Sequence, residues 1–236
     1  MKAVIFDVDD TLYDRVEPFK AAYERYFSSR WDLPRRLVYD AFSRHGQEVF
    51  EDSMSQKITM REMYIYRIKN AMQDFGAAIT DQEALDFQDA YLWHQHHLHF
   101  SPGMEETLNL CRKQGLFLGA ITNGPSGHQR EKYDALQLGR WIPADHFLAS
   151  GDVGINKPDP EIFHIAVRQW QLVPEETFFI GDSYSHDVTG AKNAGWHTVW
   201  LDRSGGNSSS AFPLADYIVP DGEALRDCIR KLLGCS

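Results

Sequence analysis

The sequence predicts an α/β protein, a doubly wound, three-layer parallel sheet interrupted by an inserted helical segment. Three observations lead there. Residues 3–6, Ala-Val-Ile-Phe, form a short apolar run stopped by acidic residues, which reads as a buried strand. Residues 16–98 carry helical spacing and no convincing strand. After Ser101-Pro102-Gly103, apolar runs alternate with helical stretches, the pattern of parallel strands joined by right-handed crossovers.

Taken in order, the first strand is followed by helices marked by Phe19, Ala22, Tyr23 and Tyr26, and again by Met63, Tyr64, Ile68 and Met72. Thr80 and Glu83 have the spacing of a capping box, which sets a helix start at residue 81. Aromatic residues of this region, among them Phe19, Tyr23, Tyr26, Tyr64 and Phe87, are expected to form its own core. Beyond the boundary, strands are predicted at 116–121, 147–149, 177–180, 197–201 and 217–219. Helices are predicted near 103–114, 127–138, 160–170, 186–194 and 223–233. The Ser- and Gly-rich stretch 204–210 reads as a surface loop. The expected organisation is a core of residues 1–14 and 100–236 and an insert of residues 15–99.

The formal net charge of −10 and pI near 5.4 argue against general affinity for nucleic acid or anionic membranes, though not against a small anion held by a local cluster. No apolar run reaches the roughly 18 residues of a membrane span. Cys111, Cys228 and Cys235 lack zinc-type spacing, and the apolar start is too short for a leader core, so a cytoplasmic protein with reduced thiols is expected. His94, His96, His97 and His99 are dense, but His96 leaves the helical face shared by His94 and His97, and no carboxylate or thiol completes a metal set.

Four blocks fall at predicted strand ends, where an open α/β sheet places its chemistry. Asp7-Val8-Asp9-Asp10-Thr11 follows the first strand. If the chain stays extended, Asp7 and Asp9 point to one side, and their repulsion calls for a cation; oxygen ligands suit Mg²⁺. A capping turn is the plain alternative. Thr122-Asn123-Gly124 can set a hydroxyl and backbone N–H groups around a phosphate oxygen, and is equally common turn chemistry. Lys157 precedes Pro158, which with Pro160 stiffens its path, yet a lone lysine is most often a solvated one. Gly181-Asp182-Ser183, with Asp187 a turn further on, supplies two carboxylates that face a metal or cap a helix.

In this order and combination the blocks resemble those of the haloacid dehalogenase superfamily: Asp7, Asp9 and Thr11; Thr122; Lys157; and Gly181, Asp182 and Asp187. The resemblance implies a Rossmann-like core whose helical insert is a C1-type cap. It implies that Asp7 is the nucleophile, forming an aspartyl phosphate, and that Asp9 is the acid and then the base. Thr122 and Asn123 would bind the phosphate, with Lys157 neutralising charge. Asp7, Asp9 (through its carbonyl) and Asp182 would hold Mg²⁺, supported by Asp187. Thr11 would set the loop. The carboxylate at position 9 points to phosphate esters rather than haloacids, because halide needs no proton to leave.

The expected activity is Mg²⁺-dependent hydrolysis of small phosphate monoesters, by a monomer or homodimer. Likeness to 5′-nucleotidase-like members favours a nucleoside monophosphate. A sugar phosphomutase shares all four blocks, and a binding or regulatory protein on a retired phosphatase is the non-catalytic alternative.

Overall fold

The computed structural model describes residues 1–203 and 214–234. The predicted 204–210 loop and Cys235 lie outside the described residues. The chain divides into two compact units, Met1–Asp14 with His99–Ser236, and Arg15–Leu98.

The first unit is built on six parallel strands: β1 (Ala3–Phe6), β2 (Phe117–Thr122), β3 (Phe147–Ala149), β4 (Thr177–Gly181), β5 (His197–Leu201) and β6 (Tyr217–Val219). Their order is β3-β2-β1-β4-β5-β6. β1 and β4 are buried along their whole length, as central strands covered on both faces must be, which is why they read as unbroken apolar runs. The chain leaves β1 for β2 and β3 on one side and returns to β4 on the other. The order therefore reverses beside β1, the point outside whose strand carboxyl ends open α/β sheets place their binding crevice.

The second unit holds five helices: α1 (Val16–Tyr26), α2 (Arg35–Glu48), α3 (Phe50–Met54), α4 (Met60–Asp74) and α5 (Asp81–Gln95). Thr80 accepts from the Glu83 N–H, and Glu83 reaches back to the Thr80 N–H, the reciprocal cap expected from sequence; Thr59 and Glu62 repeat it at α4. Phe19, Tyr23 and Phe87 are fully buried in its core, joined by Phe27, Phe42 and Tyr91. Tyr26 packs at the edge. Tyr64 is the exception: it lies outside that cluster, with the Arg67 guanidinium 5.2 Å over its ring.

In the first unit, α6 (Met104–Lys113) precedes β2, and α7 (Ser126–Ala135), α8 (Ser150–Val153), α9 (Pro160–Trp170), α10 (Thr189–Asn193) and α11 (Gly222–Leu232) come after it. α9 and α10 bury Ile162, Phe163, Ala166 and Ala191 against Ile5, Ile121 and Phe179, while α6 and α11 pack on each other beside β2 and β5. Pro160 opens α9, where its missing N–H removes nothing, and Asp159 caps it through the Glu161 N–H at 2.9 Å. The Ser101-Pro102-Gly103 boundary has a packing reason. Gly103 has φ +81°, and a Cβ there would lie 2.4 Å from the Gly222 carbonyl carbon, so glycine lets two helix starts meet.

Candidate active site

The strand ends bring Asp7, Thr122, Lys157, Asp182 and Asp187 to one rim of the sheet. Asp7 continues the β1–β4 ladder, its N–H bonded to the Ile180 carbonyl at 2.8 Å, so sheet register fixes its side chain at the rim. Lys157 donates from Nζ to Asp7 Oδ1 at 2.7 Å and to the Ile121 carbonyl at 2.9 Å, and pairs with Asp187 Oδ1 at 2.7 Å. The Thr11 hydroxyl lies 3.1 Å from Asp7 Oδ2 and 3.4 Å from Asp182 Oδ1, and accepts from the Asp182 N–H. Asp187 Oδ2 accepts from the Ser183 N–H at 3.0 Å, within a wide helical turn, Tyr184–Val188, that carries the carboxylate back over the strand end. Gly181 makes room for it: a Cβ there would stand 2.2 Å from Asp187 Oδ2.

Asp7, Lys157 and Asp187 are 6%, 3% and 2% exposed, so water screens their charges little. Burial pushes the Asp7 carboxyl up; Lys157 pulls it back, and Asp187 and Asp182 push it up again, to about 8. Burial also opposes the Lys157 charge, but Asp187 and Asp7 outweigh it and hold the ammonium above the ordinary lysine range. Oxygens of Asp7, Asp182 and Asp187 all lie within 4.8 Å of one another. Ionised, with one ammonium among them, they leave two negative charges uncompensated within the set. A hard divalent cation with oxygen ligands, such as Mg²⁺, fits that donor set and that charge.

The Asp9 carboxylate has other partners. The spacing argument required an extended chain, whereas β1 ends at Phe6 and Asp10 turns left-handed, with φ +59°. The Asp9 carboxylate is not in the three-aspartate group, and its counter-charge is a lysine that sequence reasoning missed. Lys132 donates to Asp9 Oδ1 and Oδ2 at 2.8 and 2.6 Å, Gln129 donates to Oδ2 at 3.2 Å, and the Tyr13 hydroxyl donates to Oδ1. Burial alone pushes the Asp9 carboxyl up, but Lys132, with help from Tyr13 and Gln129, holds it below the usual carboxylate range.

The Asn123 side chain has a structural part. Its side-chain amide clamps the Lys157 backbone, donating to the carbonyl at 3.0 Å and accepting from the N–H at 2.9 Å. The side chain thus holds the lysine loop in place. The Thr122 hydroxyl, 1% exposed, donates to Gln129 Oε1 at 3.2 Å.

Residues 1–195 match the family model described as haloacid dehalogenase-like hydrolase. A glyceraldehyde 3-phosphate phosphatase of Methanopyrus kandleri is 30% identical over 98% of both chains. A phosphoserine phosphatase of Thermus thermophilus is 36% identical over 57% of this chain, which spans about half the length of that relative, 53%. A phosphoglycolate phosphatase of Pseudomonas putida is 30% identical over 85% of this chain and 69% of its own. Among solved structures, a HAD phosphatase from Thermococcus onnurineus aligns with a TM-score of 0.62 at 26% identity, over 99% of this chain and 98% of that one. The magnesium-bound HAD-hydrolase YfnB of Bacillus subtilis shares the fold, with a TM-score of 0.64 at 21% identity and 98% coverage of both. The chain belongs to the haloacid dehalogenase-like hydrolase family, and it is an enzyme of the phosphatase class. Among the described residues no helix is long and apolar enough to cross a membrane.

Proposed function

We propose that this chain hydrolyses small phosphate monoesters in two displacements at Asp7, using a divalent cation of the Mg²⁺ kind. The observation that supports it best is the buried contact between the Lys157 ammonium and Asp7 Oδ1 beside two further carboxylates. A nucleophilic carboxylate needs its charge steadied without losing its lone pairs, and an ammonium on one oxygen does that. Asp7, Asp182 and Asp187 would hold the cation, with the Asp9 carbonyl as a further ligand. When bound, that cation would offset charge on the phosphoryl oxygens.

In the first displacement an Asp7 oxygen bonds to phosphorus as the ester bond breaks, and Asp9 gives a proton to the leaving oxygen. In the second, Asp9 takes a proton from water, which attacks phosphorus and releases Asp7 and inorganic phosphate. As an ionised group held by Lys132, Asp9 is ready for the second step. An incoming phosphate, as a neighbouring negative charge, raises its proton affinity for the first. Lys157 stays charged throughout, and Thr122 offers its hydroxyl to a phosphoryl oxygen. The helical unit is read as a cap that closes over substrate and excludes water. Compaction in X-ray scattering on adding Mg²⁺ with beryllofluoride is expected; identical profiles would remove that part.

Resemblance alone favours a nucleoside 5′-monophosphate. The relatives named for glyceraldehyde 3-phosphate, phosphoglycolate and phosphoserine favour a shorter, acyclic phosphate ester. The deciding experiment assays p-nitrophenyl phosphate, then a panel of nucleotides, sugar phosphates and short phosphate esters, with Mg²⁺ and with chelator. Turnover that disappears with chelator supports the reading. No turnover of any ester, or full turnover under chelation, removes it.

A further inference from the structure

Helix α7 is a helix whose inward face is polar. Its buried residues are Gln129 and Lys132, three positions apart and therefore on one face. Lys132 is 9% exposed and Gln129 2%. An inward lysine and glutamine give up hydration that leucines would not need, so their partners decide what they are for. Docking of the helix alone would be served as well by apolar contacts, which often match or exceed a buried ion pair in stability.

The partners belong to the reaction site. Lys132 contacts both oxygens of Asp9, at 2.8 and 2.6 Å. Gln129 reaches three groups: its Nε2 donates to Asp9 Oδ2 at 3.2 Å and to the Asn123 carbonyl at 2.9 Å, and its Oε1 accepts from the Thr122 hydroxyl at 3.2 Å. That arrangement fixes the amide orientation, because the flipped amide would set its oxygen against a carboxylate and a carbonyl. The same amide therefore spans Thr122, at the end of β2, and Asp9, after β1. Gly124 completes the fit: a Cβ there would lie 2.6 Å from Gln129 Nε2.

We propose that Lys132 and Gln129 are positioning residues of the hydrolysis, holding the Asp9 carboxylate away from the three-aspartate group so that it faces the leaving oxygen and the attacking water. This rests on the function proposed above. A fourth carboxylate near Asp7, Asp182 and Asp187 would be drawn to any cation they bind, and as a ligand it could no longer carry a proton. The Lys132 ammonium, with its two short contacts, is a competing counter-charge for Asp9. Gln129 fixes the carboxylate's rotation and links it to Thr122, so the group that meets the leaving oxygen and the hydroxyl that meets the phosphate share one frame.

The test compares leaving groups in K132M, K132R and Q129M with saturating Mg²⁺. Dinitrophenoxide leaves without a proton, whereas an alkoxide needs one. K132M is expected to lose about 30- to 100-fold in kcat on an alkyl phosphate and less than about fivefold on 2,4-dinitrophenyl phosphate, short of the roughly 10²–10⁴-fold of acid–base catalysis because Asp9 itself is kept. K132R, which keeps the charge, restores most of the alkyl activity. Q129M shows the same preference at about a third of the size or less. Thermal melts identify folded variants; if K132M melts early, Q129M and K132R carry the comparison.

Equal loss on both esters in folded K132M or Q129M, or alkyl activity at the parent level in either, overturns the proposal. The parent enzyme separates this from the broader reading. A parent that turns over esters with Mg²⁺ and stops with chelator keeps its proposed function whatever the variants do. A parent inactive on every ester takes both readings down.

Discussion

The two units treat charge in opposite ways. The helical unit keeps its ion pairs outside: Arg35 with Glu24 and Asp32, Arg44 with Asp74, and Arg30 with Glu83 all have at least one well-exposed partner. Its interior is aromatic, with Phe87 ringed by Phe19, Phe27 and Tyr91 at centroid distances of 5.2 to 6.1 Å. A cation that it does draw inward, Arg67, lies 4.2 Å over the Phe42 ring. The sheet unit instead buries Asp7, Lys157 and Asp187 together, although desolvating ions is costly and like charges near 4 Å repel by about 4 kcal/mol at an effective dielectric near 20. One unit is arranged for stability. The other gathers carboxylates whose mutual repulsion a divalent cation would relieve.

The largest expected effect would break that comparison at its charged side. Asp7→Asn should lower turnover by about 10⁴-fold or more, since an amide is a poor nucleophile. It should also raise the melting temperature in chelator. A carboxyl held near 8 contributes stability that is present below its unfolded value of 3.8 and lost as pH rises through about 8. In chelator the parent should therefore weaken from about pH 4 to pH 8, and Asp7→Asn should flatten that slope. A variant less stable than the parent at pH 7 would mean that Asp7 is not strained.

Phe87→Ala probes the other side. Removing a fully buried ring from the aromatic cluster should cost about 3–5 kcal/mol in urea unfolding. A loss below about 1 kcal/mol would show that this core is loosely held. Gly181→Ala sits between the two effects. Its Cβ must displace the Asp187 carboxylate, so about 1–3 kcal/mol of stability and tenfold or more in activity should go together. Stability lost with full activity would separate Asp187 from the chemistry.

The smallest effect belongs to His45. Burial lowers its proton affinity, but Glu48 and Asp74, each 2.9 Å from a ring nitrogen, outweigh this and raise it above the usual 6.5. A raised histidine stabilises below its unfolded value and stops doing so as pH rises through the folded one. Melting should fall slightly above pH 6.5 in the parent and less in His45→Gln, by under about 1 kcal/mol, because these partners are exposed and screened by salt. The same pH response in both would assign it to another group.

Much of this was legible in the chain because it is local. Strands 147–149, 197–201 and 217–219 have the predicted ends, and β2 runs one residue later than expected, which makes Thr122 its last residue. The Thr80–Glu83 cap was visible as a four-residue pattern. The Asp9 environment was not, since Lys132 is 123 positions away and the Asp7–Asp9 spacing suggested a shared cation. A signal did exist. Helix α7, following a strand end that carries Thr122, has few apolar residues to turn inward, so polar ones had to face the site. The Asn123 clamp was hidden for a related reason: residue type shows that an amide is present, and only packing shows that Lys157 uses both ends of it.

The sequence by itself determined the alternation of strands and helices, the helical insert and the acidic strand ends, because periodicity, caps and apolar runs act over a few residues. Tertiary structure decided which charges meet. It brought Lys157 and Asp187 to Asp7 and gave Asp9 to Lys132. The physical reason is that Coulomb forces and desolvation depend on distance through space and on burial, and neither is set until the sheet has brought remote segments to one edge.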